Sequence, residues 1–198
     1  GSNYEMMNEE GIAHFLEHMI FKGSKSLKEG EFDLKIESLG GSSNAATGLD
    51  DVHYHVLVPP EKTEEALNLL LELLLFPNID EHAFEMEKEV VLEEISQNID
   101  QPDEIIYMKL LKECCSPHRY SRPILGDKKT IKKIIPKQMK LFHRNHYVGK
   151  NCTLCIAGTV PANIYSIINN SKLKLLKTIK EESYISKQID FKKGYKKE

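Results

Sequence analysis

The residues best equipped for chemistry in this 198-residue chain stand together near its start, as His14-Phe15-Leu16-Glu17-His18. Two imidazoles at i and i+4 on a helix can close on one metal ion, and a carboxylate at i+3 can take a proton from a water that the metal polarises. The chain has eight histidines, and an H-x-x-E-H string arises by chance in roughly one such sequence in thirty, so the string suggests a metal centre without requiring one. The bland alternative is an amphipathic helix with an ordinary polar face. At about 100° per residue, Ile12, Phe15, Leu16, Met19 and Ile20 gather on one face. His14, Glu17 and His18 lie together on the opposite face.

A second helix supplies what the first lacks. Asp80 is a good N-cap, Ile79 and Phe84 fit a hydrophobic staple, and the helix opened there runs to about Asn98. With Glu87 taken as zero, Ala83, Phe84, Val90, Val91 and Ile95 fall between about -60° and +80°, and Glu94 falls at about -20°. Glu87 and Glu94 are therefore carboxylates on an apolar stripe, whereas Glu85, Glu89 and Glu93 lie on the far side. Two buried carboxylates are costly unless something positive meets them. A zinc ion held by His14 and His18 is the natural partner, and the helical phase selects Glu94 over Glu93 as the third protein ligand. Two histidines and one glutamate with an open fourth position form a catalytic arrangement, since structural zinc sites are usually closed and rich in thiolates.

The order H-x-x-E-H reverses H-E-x-x-H and marks the inverted zincins. The stretch Gly11-Ile-Ala-His-Phe-Leu-Glu-His-Met19, followed by Phe21-Lys-Gly23, closely resembles the pitrilysin/insulysin/processing-peptidase family of zinc metallopeptidases. It is most similar to the small bacterial processing-type proteases. In that family a glutamate some 75 residues beyond the second histidine completes the metal site, and here 75 residues separate His18 from Glu94. Glu87 matches the family's acidic residue seven positions earlier. The segments Gly41–Thr47, Glu87–Ile95 and Arg122–Gly126 agree as well, so the similarity runs from Gly1 to about residue 170.

The resemblance implies zinc on His14, His18 and Glu94, with Glu17 as general base and Glu87 supporting the site from behind the ligands. It implies an edge strand at Asn44 and Ala45 along which an extended peptide adds as a further strand. Ala46 belongs to the same substrate strand, at a position often aromatic in relatives. The implied fold is α+β, a mostly antiparallel sheet covered by helices, with the zinc between two helices at its edge. The implied reaction is zinc-dependent hydrolysis of peptide bonds in extended or unfolded peptides. Relatives also have strands before the position of Gly1, and a second homologous domain that closes over the substrate. The expectation is thus an amino-terminal domain that needs its other half in the same chain or as a partner chain, homo-oligomers included. The rival expectation is a non-catalytic partner or scaffold subunit of a two-domain assembly. The intact His14, Glu17, His18 and Glu94 argue against it, and a purely structural zinc domain would leave Glu17 unexplained.

Periodicity outlines the elements that must hold these groups in place. Asn8 is the expected cap of the first helix and Gly23 its stop. Phe32, Ile36 and Leu39 mark a second helix that ends at Gly40-Gly41. Residues 42–47 and 52–58 read as a hairpin, and a leucine-dense helix over 63–76 ends at Pro77. Further helices are expected over 103–114, 136–146 and 161–170, with an extended segment at 151–157. Residues 1–171 form the expected metallopeptidase domain. The remainder, 172–198, holds nine lysines against four acidic residues and reads as a solvated domain end or linker.

Composition narrows the field. A net charge of -3 and a pI near 6.3 lack the basic excess of a nucleic-acid binder. The longest apolar run, Ala66–Phe76, contains Asn68 and Glu72 and is too short to span a bilayer, and Gly1–Gly11 has no signal-peptide core. Four cysteines are too few for a disulfide scaffold, so a reducing, bacterial-type cytoplasm is the expected location. Cys152-Thr-Leu-Cys155 has redox or metal spacing, but on a strand its two thiols would face opposite ways. Cys114 and Cys115 close a helix and read as structural. His53 and His55 share one face of a strand, read as a solvated or hydrogen-bonded face rather than a metal site. His82 lies away from the Glu87 face, and His118, His143 and His146 lack partners at ligand spacing.

Overall fold

A computed structural model of the chain describes residues 1–177. Most of the lysine-rich segment, 178–198, lies outside the described residues. The fold is organised around α1 (Ile12–Ile20), whose Ile12, Phe15, Leu16, Met19 and Ile20 are all fully buried. Nine residues are too few for a helix to persist alone in water, so packing and capping must hold it. Asn8 is not the cap; it takes a positive φ of 74°. The entry position is Gly11, at φ 90°, and the cap comes from outside the helix. The buried Glu5 carboxylate accepts the N–H groups of Gly11 at 3.0 Å and Ala13 at 2.9 Å, serving donors that the first turn leaves unpaired. Only glycine fits at position 11, because a Cβ there would stand 2.4 Å from the Leu125 carbonyl oxygen.

Helix α2 (Glu31–Ser38) leads into a hairpin of β1 (Ser42–Thr47) and β2 (Val52–Leu57). The strands pair antiparallel from Ser42 opposite Leu57 to Thr47 opposite Val52. Side chains alternate: Ser43, Ala45 and Thr47 with Val52, Tyr54 and Val56 face inward, and Asn44, Ala46, His53 and His55 face outward. Four longer helices follow: α3 (Thr63–Leu75), α4 (Glu81–Asn98), α5 (Pro102–Cys115) and, after the short α6 (Lys128–Ile131), α7 (Pro136–His146). A last helix, α8, spans Ile164–Asn170. One apolar cluster joins α1 to Phe32 and Ile36 of α2, Phe84 and Val91 of α4 and Met139 of α7, with the inward face of β2 packed against it. The Phe15 and Phe84 rings lie 4.6 Å apart in its centre.

The class is α+β, and among the described residues the antiparallel sheet is this hairpin. The expected extended segment at 151–157 is a correction. Cys152 has extended backbone angles, but no described strand lies alongside, and without a neighbour's ladder an extended segment is not a strand. Cys152 and Cys155 are there free and exposed. The start of the lysine-rich segment, by contrast, is docked. Leu173 packs on Leu67, Leu71 and Ile167, and Lys172 Nζ reaches the buried Glu72 carboxylate at 2.5 Å. Among the described residues no helix is long and apolar enough to cross a membrane.

Candidate metal centre

Two helices bring the site together. His14 and His18 sit one turn apart on α1, and α4 packs beside it with Asp80 capping its start through the N–H groups of His82 and Ala83. Along α4, Glu87 is buried and Glu94 half-buried, while Glu85, Glu89 and Glu93 are exposed. Val90, expected on the apolar stripe, is half exposed at its edge. The ligand atoms converge: His14 Nε2 and His18 Nε2 are 3.3 Å apart. Glu94 Oε1 lies 3.6 Å from His14 Nε2, and Glu94 Oε2 lies 3.4 Å from His18 Nε2. A tetrahedral zinc with metal–ligand distances of 2.0–2.1 Å has ligand–ligand edges of about 3.3–3.4 Å. These donors already stand at nearly that spacing, and the buried Glu94 Oε2 has no aligned hydrogen-bond donor. Among the described residues, they are the three histidine, cysteine or acidic side chains whose ligand atoms cluster in this way.

The surroundings of the histidines differ. His18 Nδ1 lies 2.8 Å from Glu87 Oε1, and Lys22 Nζ lies 2.7 Å from Glu87 Oε2. A carboxylate on Nδ1 keeps the proton there and frees Nε2 to act as a ligand. Burial lowers the His14 pKa to about 4, and the neighbouring His18 adds to the shift. Burial also acts against a charged His18, but the neighbouring Glu94 and Glu87 carboxylates outweigh it and raise that pKa. Burial would raise the Glu87 pKa, yet Lys22 and His18 hold the carboxyl below its usual range. Glu94 is likewise held low, chiefly by its contact with His18.

Glu17 stands between the two histidines in the chain, in the middle of α1, and faces the hairpin. One of its carboxylate oxygens, Oε2, accepts a hydrogen bond from the Thr47 hydroxyl at the end of β1. A cleft of about 450 Å³ opens between α1, α2 and β1, lined by Glu17, His18, Lys22, Asp33, Asn44 and Ala45. Asn44 and Ala45 thus border the centre. Ala46 pairs with His53 on the outer face of the hairpin and is not part of that lining. Sequence reasoning assigned no role to Lys22 or Thr47. Periodicity places Lys22 one turn beyond His18 and Thr47 at the end of the inward series 43, 45, 47, but their contacts with Glu87 and Glu17 come from other elements and left no signal in the sequence.

The sequence model of the insulinases, peptidase family M16, matches residues 1–128. This chain belongs to the M16 family. Among its relatives, a zinc protease of Rickettsia felis is 35% identical over 160 residues, covering 81% of this chain and 39% of that protein. The zinc protease PqqE of Helicobacter pylori is 32% identical over 184 residues, covering 92% of this chain and 41% of the relative. The crystal structure of a protease from Helicobacter pylori superposes with a TM-score of 0.87 at 29% identity, over 97% of this chain and 46% of that one. The M16 chain therefore spans about two fifths of the length of these curated relatives.

Proposed function

We propose that this M16 chain carries the metal-binding part of a zinc-dependent peptidase that cleaves extended or unfolded peptides. The observation that carries the reading is the convergence of His14 Nε2, His18 Nε2 and the Glu94 carboxylate, with Glu17 beside them. In this reading His14, His18 and Glu94 hold the ion, and Glu87 fixes the orientation of His18. Zinc bound there supplies Lewis-acid polarisation of the scissile carbonyl and of the attacking water. Glu17 takes the proton from that water and passes it to the departing amine, and the Thr47 hydroxyl holds its carboxylate in place. Asn44 and Ala45, bordering the cleft, offer backbone along which a peptide can pair as a strand. The chain spans about two fifths of its relatives' length, so the reading includes a second half that covers the cleft and orients the substrate.

The test is metal content followed by cleavage. The purified chain is expected to bind one zinc, and, joined by the other half, to cleave an unfolded protein in a way that a chelator abolishes. Stoichiometric zinc without cleavage would overturn the peptidase reading, and a chain without zinc would overturn the metal centre.

A further inference from the structure

An unexpected cation stands near the proposed zinc ligands. Lys22 lies just beyond the end of α1, and its ammonium is 2.7 Å from Glu87 Oε2 and 2.9 Å from Glu29 Oε1. Glu87 is buried, and each of its two oxygens has one named partner: Oε1 faces His18 Nδ1 and Oε2 faces Lys22 Nζ. The carboxylate is therefore held at both ends. If it turned about its last bond, both contacts would be lost together. Glu29, which is largely exposed, in turn holds the ammonium from the turn before α2. A row of alternating charge, Glu29–Lys22–Glu87–His18, thus runs from the surface to the metal-facing imidazole.

Placed near a dication, a lysine acting on its own would repel it. Acting through Glu87 it has the opposite effect, because a buried carboxylate left with one oxygen unpaired would turn to seek another donor. That turn releases His18 Nδ1 and with it the orientation that presents Nε2. We propose that Lys22 is a positioning residue of the metal site, acting through Glu87 to lock His18 in its metal-binding orientation. This rests on the reading of His14, His18 and Glu94 as zinc ligands.

The experiment is a double-mutant cycle on zinc affinity, measured by competition with a chromophoric chelator on the purified chain. Groups behind the ligands typically change metal affinity by about 10–100-fold. Lys22→Met is expected to weaken zinc about tenfold and Glu87→Gln by at least as much, but Lys22→Met added to Glu87→Gln should bring no further loss. Lys22→Arg, which keeps a cation within reach of Glu87, should restore affinity to within about threefold of the parent. Circular dichroism of the metal-free proteins checks folding, and if Lys22→Met does not fold, Lys22→Gln takes its place in the cycle. Tighter zinc binding in Lys22→Met would show that charge repulsion governs, and would overturn the proposal. So would an equal loss with and without the Glu87 carboxylate. A parent chain that binds no zinc removes the ligand reading itself, whereas a parent that binds it, with affinity indifferent to Lys22, removes only the positioning role.

Discussion

Replacing Glu94 by glutamine separates the metal centre from an ordinary polar cluster. The Glu94 side chain is 41% exposed and lies 3.4–3.6 Å from the two histidines. Exposed ion pairs of this kind contribute at most about 1 kcal/mol, so in chelator Glu94→Gln should melt within roughly 4 °C of the parent. With zinc the two should part. Removing a charged ligand should cost at least the roughly 100-fold upper value seen for groups behind ligands. At saturating metal a 100-fold loss removes about 2.7 kcal/mol of zinc-linked stability. For a chain of this size that corresponds to a Tm lower by about 5–11 °C. Glu93, exposed and contacted only weakly by Gln97 at 3.4 Å, is the matched control; Glu93→Gln should gain from zinc as the parent does. The assay is a thermal melt of the three proteins with excess zinc and with chelator. An equal zinc-induced rise in the parent and in Glu94→Gln, or an equal loss in Glu93→Gln, would refute the helical-phase argument.

Glu17→Gln should bind zinc as the parent does while hydrolysis by the completed enzyme falls by about 10²–10⁴-fold; retained turnover with retained zinc would exclude Glu17 as the base. Burial raises the Glu5 pKa from its ordinary 4.5 to about 8, against the opposing pull of the Ala13 and Gly11 N–H groups. The folded chain then holds this proton more tightly than the unfolded one. Stability from this group is therefore full below pH 4.5, falls by up to about 1.4 kcal/mol per pH unit on the way to 8, and is flat beyond. Urea titrations of Glu5→Gln should lack that decline, and identical pH slopes would contradict it. Gly11→Ala combines a left-handed φ with a Cβ 2.4 Å from the Leu125 oxygen. It should lower stability by roughly 2–5 kcal/mol in urea denaturation, and a loss below 1 kcal/mol would mean the loop at Leu125 yields freely.

Much of the centre was legible because helical periodicity acts within one element. The two faces of α1, and the placing of Glu94 toward the histidines with Glu93 outside, needed only 100° per residue, and Asp80 needed only its place before an apolar run. Val90 shows where the method loses resolution, since it sits at the edge of the stripe and turns half outward. The cap of α1 was not legible. Asn8 has the right chemistry at the right distance, but Glu5 does the work from outside the helix, and chain spacing does not encode such a contact. Alternation at 151–157 suggested a strand, yet a strand also requires a neighbour. Lys22 and Thr47 escaped for the same reason as Glu5, because their partners, Glu87 and Glu17, belong to other elements.

The site draws its donors from chain segments far apart, and this sets an order of events at the ribosome. Glu94 follows His18 by 76 positions, so at about 5–20 residues per second it is added roughly 4–15 s later. Throughout that interval a nascent chain has the two imidazoles of this cluster but not its carboxylate. Phe84 and Val91, which cover the apolar face of α1, are late by almost as much, so α1 has neither its cover nor its complete ligand set until α4 is made. The same helix delivers both. If His14, His18 and Glu94 hold zinc as proposed, the three-ligand site is complete only once α4 has docked on α1, so full coordination and closure of the core would come together.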